Sequence, residues 1–146
     1  MMAEAEMGKG AAAARNLVTL FEAQARARGS RAAVKHKRDG RWVDVSWTEL
    51  ARRARDVADG LASIGARRGD RIAILGETQI EWILADLGIL GAGAITVTIY
   101  QSNTADECAF ILKDSGASWI FCDTAQQAAK LQEVRGRLPE LRGIIC

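Results

Sequence analysis

Three short groups of residues carry the chemistry this sequence could perform: Gly76-Glu77, Tyr100-Gln101-Ser102-Asn103 and Asp123-Thr124. Each follows a run of apolar residues that reads as a strand. In a doubly wound sheet, ligands bind beyond the carboxyl ends of the strands, where helix N-termini also point. The second and third groups lead directly into helices, so their unpaired N–H groups and partial positive charge offer a seat to an anion such as a phosphate. Thr104 and Thr124 offer a simpler use of the same ends, as caps that satisfy those N–H groups themselves. Tyr100 adds a polar-tipped ring at a strand end, a position from which it can face a ligand.

Spacing excludes several other chemistries. Gly88, Gly91 and Gly93 form GxxGxG late in a helix and ahead of a strand, whereas a dinucleotide fingerprint needs the strand first and the helix afterwards. They are expected to permit close helix–sheet packing and a tight turn. No GxxxxGK[ST], GxSxG or HExxH occurs. Asp123 follows a central strand, as a phospho-acceptor aspartate does, but Glu77 is a lone acid and no suitable late lysine exists. Cys108, Cys122 and Cys146 are too far apart for a CxxC motif and His36 is the only histidine, so no zinc site is expected. A sparse, odd set of thiols fits a reducing cytoplasm, where buried cysteine acts as a small hydrophobe.

The formal charge is 20 − 18 = +2. The arginines around 52–55 and 67–71 are interleaved with Glu49, Asp56, Asp59 and Asp70, which reads as a mixed solvated face and not as a nucleic-acid surface. No run approaches the ~18 apolar residues of a transmembrane helix. Residues 1–14, with Glu4, Glu6 and Ala11–Ala14, have no secretory core and read as a disordered leader.

The elements that must position these groups are legible from helix starts. Capping boxes are expected at Ser46–Glu49, Thr78–Glu81, Thr104–Glu107 and Thr124–Gln127, where a hydroxyl accepts from the N3 amide and the N3 side chain reaches back. Gly65, Gly91, Gly116 and Gly136 are expected as the matching stops. Between the helices lie apolar runs at 71–75, 94–99, 118–122 and 143–146. Short apolar strands alternating with helices predict βαβ units in a parallel sheet covered on both faces. Ahead of them, 33–36 and 42–45 flank Asp39-Gly40 as a hairpin, preceded by a helix over 17–27 that presents Leu17, Leu20 and Phe21. The four tryptophans are expected in the core or at its edge, and His36 on the exposed hairpin. The predicted class is α/β, a mostly parallel, doubly wound sheet flanked by helices with an N-terminal β-hairpin. Because the sequence stops at Cys146 in or just after a strand, it reads as a truncated part of a larger domain.

These residues resemble a known family. Val45-Ser46-Trp47-Thr48-Glu49-Leu50 is similar to the opening of the acyl- and aryl-adenylate-forming (AMP-binding) enzymes. The similarity continues through Gly65, Gly69–Ile74, Glu81-Trp82, Gly91–Ala94, Tyr100, Glu107–Leu112 and Asp114–Ala117. Residues 15–146 then correspond to an incomplete N-terminal subdomain. Ile95–Asn103 with Glu107–Leu112 look most like the bacterial long-chain fatty-acyl-CoA synthetase branch, with Thr98 where many members have proline.

The resemblance implies two-step chemistry in a complete enzyme. Fatty acid and Mg²⁺-ATP give acyl-adenylate and pyrophosphate, and the CoA thiol then displaces AMP. The family's Ser/Thr/Gly-rich loop, Thr-Glu pair, ribose-binding aspartate and C-terminal lysine are not in this sequence, so no catalytic or metal-binding residue is assigned and the chain alone is expected to be inactive. In related short-chain synthetases the strand end matching Tyr100, Gln101 and Ser102, and a basic residue matching Lys130, border the CoA nucleotide; those relatives have glycines at 101 and 102. The resemblance further implies a cytoplasmic enzyme, peripheral at membranes through its lipid substrate. Two other readings are a self-standing nucleotide- or CoA-binding regulatory module without catalysis, and an interaction module that self-associates through an exposed edge strand at Cys146.

Overall fold

The computed structural model describes residues 15–146, so the leader expected over 1–14 lies outside the described residues. Residues up to Asp56 form one compact unit and Val57–Cys146 a second.

The first unit begins with α1 (Leu17–Arg28). Its start is a capping box that the hydroxyl pattern did not flag: Asn16 Oδ1 accepts from Thr19 N at 2.9 Å and Thr19 Oγ1 accepts from Asn16 N at 3.2 Å. An amide oxygen and a threonine hydroxyl do the work usually given to Ser and Glu. The expected apolar face is shallow, with Leu17 exposed and only Ala25 buried. The antiparallel hairpin of β1 (Ala32–Arg38) and β2 (Arg41–Ser46) closes on Asp39-Gly40. Both turn residues have positive φ, 50° and 76°, which a two-residue hairpin turn of this hand requires. Trp42, expected at the core edge, is 66% exposed. Register explains this: Trp42 is paired with Lys37, whose ammonium lies 5.4 Å from the ring, on a face shared with Lys35 and Asp44. His36, on the opposite face, is half-buried. Trp47 stacks obliquely on Phe21 and lies under Arg28.

Helix α2 (Trp47–Ser63) runs through the division between the units. In the second unit follow β3 (Arg71–Leu75), α3 (Ile80–Gly91), β4 (Ile95–Ile99), α4 (Ala105–Ser115), β5 (Trp119–Cys122), α5 (Ala125–Val134), a 3₁₀ turn and β6 (Gly143–Ile145). The four strands are parallel in the order β4-β3-β5-β6. The chain therefore winds outward from β3 to β4, then crosses back to β5, and β3/β5 is the switch point.

Alternation along the strands divides two cores. Ala73, Leu75, Ile120 and Cys122 face one way, against Cys108 and Leu112 of α4 and Leu131 and Val134 of α5. Ile72, Ile74, Trp119 and Phe121 face the other, against Leu61 of α2 and Ala85 and Ile89 of α3. The sheet is thus covered on both faces, as its near-continuous apolar strands require. The Trp119 ring lies over its register partner Gly143, which has no Cβ to obstruct it.

Local signals were met unevenly. Of the four expected boxes, Thr104 alone is complete: its Oγ1 accepts from Glu107 N, and Glu107 Oε2 accepts from Thr104 N at 2.8 Å. Ser46 and Thr124 each accept from the N3 amide, but the return side chains are engaged elsewhere, Glu49 with Arg52 and Gln127 with Gln101. Thr78 is not a cap. Helix α3 starts one residue later, after Gln79, because Ile80 is buried as its first residue, and Glu81 then stands too early to reach back. Gly116 stops α4 in the left-handed conformation (φ 64°), and the positive φ after α3 falls on Gly93 (74°) instead of Gly91. Gly91 packs against Ala58 of α2, a helix–helix approach, while Gly136 sits within the 3₁₀ turn. Helix α4 buries Cys108, Ala109 and Leu112, with Ile111 partly buried against the same core, while Phe110 is 70% exposed.

The thiols differ from expectation. Cys108 is free and buried, but Cys122 and Cys146 are joined as a disulfide, their Cα atoms 5.1 Å apart. The parallel register that pairs Phe121 with Ile145 places the next residues side by side. Spacing of 24 in sequence concealed that adjacency.

Candidate functional site

All three groups singled out in the sequence do gather at the carboxyl edge of the sheet. The loop after β4 carries Tyr100, which is 79% exposed, then Gln101 and Ser102, also exposed. Lys130 lies in the second turn of α5 and reaches this loop. Its Nζ donates to Gln101 O at 3.0 Å and to Asn103 O at 2.6 Å. Gln127 Nε2 donates to the same Gln101 carbonyl at 3.0 Å. Tyr100, Gln101, Ser102 and Lys130 therefore form one cluster.

Gln127 and Asn103 belong to it as well. Sequence reasoning gave Gln127 a local role at the cap, and only its one-turn spacing from Lys130 could have signalled a shared target. The Gln127 Oε1 atom is buried without a partner among the described residues, so the cluster retains an unused acceptor.

Electrostatics distinguishes the two helix starts at this edge. At α4 the Glu107 carboxylate already occupies the N-terminus, with Asp106 beside it. A second anion there would meet two negative charges. Helix α5 has no acid in its first turn, and Lys130 follows. An ammonium has three N–H donors, of which two are engaged by carbonyls, so one remains for an anion. Cys108, on the inner side of α4, has its thiol pushed up first by burial, against a smaller opposing pull from Lys130. It stays protonated and unreactive.

A second feature opens at the switch point itself. A cavity of about 420 Å³ lies beyond the ends of β3 and β5, lined by Ile74, Trp82, Ala85 and Phe121 with Glu77 and Asp123 among its polar residues. Its mouth is fixed by one contact between neighbouring strand ends: Glu77 N donates to Asp123 Oδ2 at 2.8 Å. Gly76 is required there, because a Cβ would lie 2.9 Å from the Asp123 carboxylate. Asp123, considered above as a phospho-acceptor, is thus a clamp between two loops. Among the described residues, no three His, Cys, Asp or Glu side chains gather as a metal site, and no helix is long and apolar enough to cross a membrane.

Comparison with known proteins accounts for this architecture. The model of the AMP-binding enzyme family matches residues 21–146. The long-chain-fatty-acid–CoA ligase FadD15 of Mycobacterium bovis is 39% identical over 107 residues, covering 73% of this chain and 18% of that protein. The solved Mycobacterium tuberculosis fatty acyl CoA synthetase superposes with TM-score 0.66 at 27% identity, over 70% of this chain and 21% of its own. The anthranilate CoA ligase AuaEII, solved with anthranoyl-AMP, gives TM-score 0.78 at 26% identity over 88% and 24%. The chain thus spans about a fifth of the length of these three proteins, and it belongs to the AMP-binding enzyme family.

Proposed function

We propose that this chain is the N-terminal part of a long-chain fatty-acyl-CoA synthetase, an acid–thiol ligase that forms AMP. The complete enzyme would convert a fatty acid and Mg²⁺-ATP to acyl-AMP and pyrophosphate, then pass the acyl group to CoA with release of AMP. The observation that carries this reading is the family match over 21–146 together with relatives named as long-chain ligases. Residues 15–146 act as an incomplete N-terminal subdomain, and the phosphate clamp and adenylation residues are supplied by the remainder of the enzyme. The cytoplasm is the compartment this reading assigns, with peripheral contact to membranes through the lipid substrate; self-association through an exposed edge strand would be a further property of the same surface.

Within the complete enzyme, the Tyr100–Ser102 loop and Lys130 form the CoA-facing edge. The residues present fit such a group: an exposed ring able to cover a base, and a cation with one free donor beside a helix start that has no acid in its first turn. Gln101 and Ser102 replace glycines found in short-chain relatives, so the backbone there is held by Lys130 and Gln127 instead of approaching the nucleotide closely.

The test uses the complete enzyme that contains this chain. Fatty-acid-dependent ATP–pyrophosphate exchange is expected from it and none from residues 1–146 alone; robust exchange by the isolated chain would overturn the reading, and measured binding without exchange by the complete protein would favour a regulatory module. Lys130→Ala should raise the KM for CoA several-fold while leaving adenylation intact. An unchanged KM would remove Lys130 from the CoA edge.

A further inference from the structure

Cys122 ends β5 and Cys146 directly follows the neighbouring parallel strand β6, and both border the switch-point cavity. Their environments differ. Cys122 is 8% exposed and its side chain belongs to the core between the sheet and helices α4 and α5. Cys146 is exposed. Cys108, the third thiol, is fully buried and its pKa is raised, so it does not compete for oxidants. The register sets the pairing: β5 and β6 run side by side over 119–121 and 143–145, and one further step brings the two Cα atoms to 5.1 Å, within the range that a disulfide spans.

We propose that Cys122 and Cys146 form a reversible thiol–disulfide exchange site at the rim of the switch-point cavity, with Cys146 the entry thiol and Cys122 the resolving thiol. The Cys146 thiolate attacks a low-molecular-weight disulfide such as oxidised glutathione, forming a mixed disulfide and releasing one thiolate. Cys122 gives up its proton and attacks Cys146 Sγ, releasing the second. The net reaction converts two protein thiols and one disulfide into one protein disulfide and two small thiols.

Oxidation fixes β6 to β5 beside Asp123, the residue that clamps the Gly76-Glu77 loop. Reduction leaves β6, a three-residue edge strand, held to β5 by backbone pairing and by the packing of Ile144 and Ile145 against the two cores. The redox state therefore controls how firmly one wall of the cavity is held.

The test uses the 146-residue chain in glutathione buffers of graded oxidation, quenched by alkylation. Native oxidised chain should give a single cross-link after trypsin, between peptides 114–130 and 143–146, with the Cys108 peptide alkylated only after unfolding. Pairing through Cys108, disulfides between chains, or no cross-link in strongly oxidising buffer would overturn the proposal. In Cys122→Ser the glutathione adduct should accumulate at Cys146, and in Cys146→Ser the remaining thiol at Cys122 should react at least tenfold more slowly. Equal rates would overturn the assignment of entry and resolving roles. The unsubstituted chain supplies an independent reading, since closing this loop should raise its Tm by about 10 °C over the reduced form, and coincident melts would deny the bond any hold on β6.

Discussion

The loops after β3 and β4 occupy the same edge of the same sheet, and each is held by a side chain from the segment 123–130, yet by opposite chemistry. After β3, the Asp123 carboxylate accepts from the Glu77 amide. After β4, the Lys130 ammonium donates to the carbonyls of Gln101 and Asn103. The first clamp places a negative charge where a helix approach would otherwise attract anions, and so marks the switch-point cavity as apolar with an acidic rim. The second neutralises carbonyl oxygens and keeps one cationic donor, which favours an anionic group on the Tyr100–Ser102 side. Fixed charge, more than shape, separates the two sites.

The largest expected effect comes from breaking the first clamp. Gly76→Ala sets a methyl against the Asp123 carboxylate and evicts it from the Glu77 amide. The loss should be about 2 kcal/mol in urea unfolding of the chain. In an Asp123→Ala background the clash is gone, so the same change should cost far less there. Equal costs in both backgrounds would show that the contact does not set the stability of this loop. The second clamp should give a smaller response. Lys130→Met keeps the aliphatic stem and removes two charge-assisted bonds at a partly exposed position, so about 1 kcal/mol is expected in the same measurement. A loss as large as that of Gly76→Ala would mean that Lys130 is chiefly structural and weaken its claim to a ligand.

How much of this was legible in the sequence follows from the range of the forces involved. Apolar runs at 71–75 and 118–122 needed only local composition to be read as buried parallel strands, and Asp39-Gly40 announced its turn through the φ values it tolerates. The resemblance linked Tyr100, Gln101, Ser102 and Lys130, and in the structure Lys130 Nζ donates to the Gln101 carbonyl of that loop. Long-range pairing was not legible. Nothing local indicates that Gln127 will leave its cap for Gln101, 26 residues away, or that Cys122 will lie beside Cys146. Thr78 and Trp42 mislead for a related reason: a capping pattern and an aromatic residue both report local preference, whereas the start of α3 is set by burial of Ile80 and the exposure of Trp42 by hairpin register.

The smallest expected effect is the most discriminating for the loop after β4. Gln127 and Lys130 donate to the same Gln101 carbonyl, but Gln127 also carries a buried oxygen with no partner. Gln127→Ala loses one neutral hydrogen bond and removes one unsatisfied acceptor. These changes oppose each other, so the stability of the chain should shift by no more than about 0.5 kcal/mol in either direction. Thr124 would keep its bond to the residue-127 amide, so the cap of α5 is not disturbed. A cost matching that of Lys130→Met would mean that the number of donors, and not the charge, holds the loop, and the contrast between its cationic clamp and the acidic clamp of Asp123 would lose its basis.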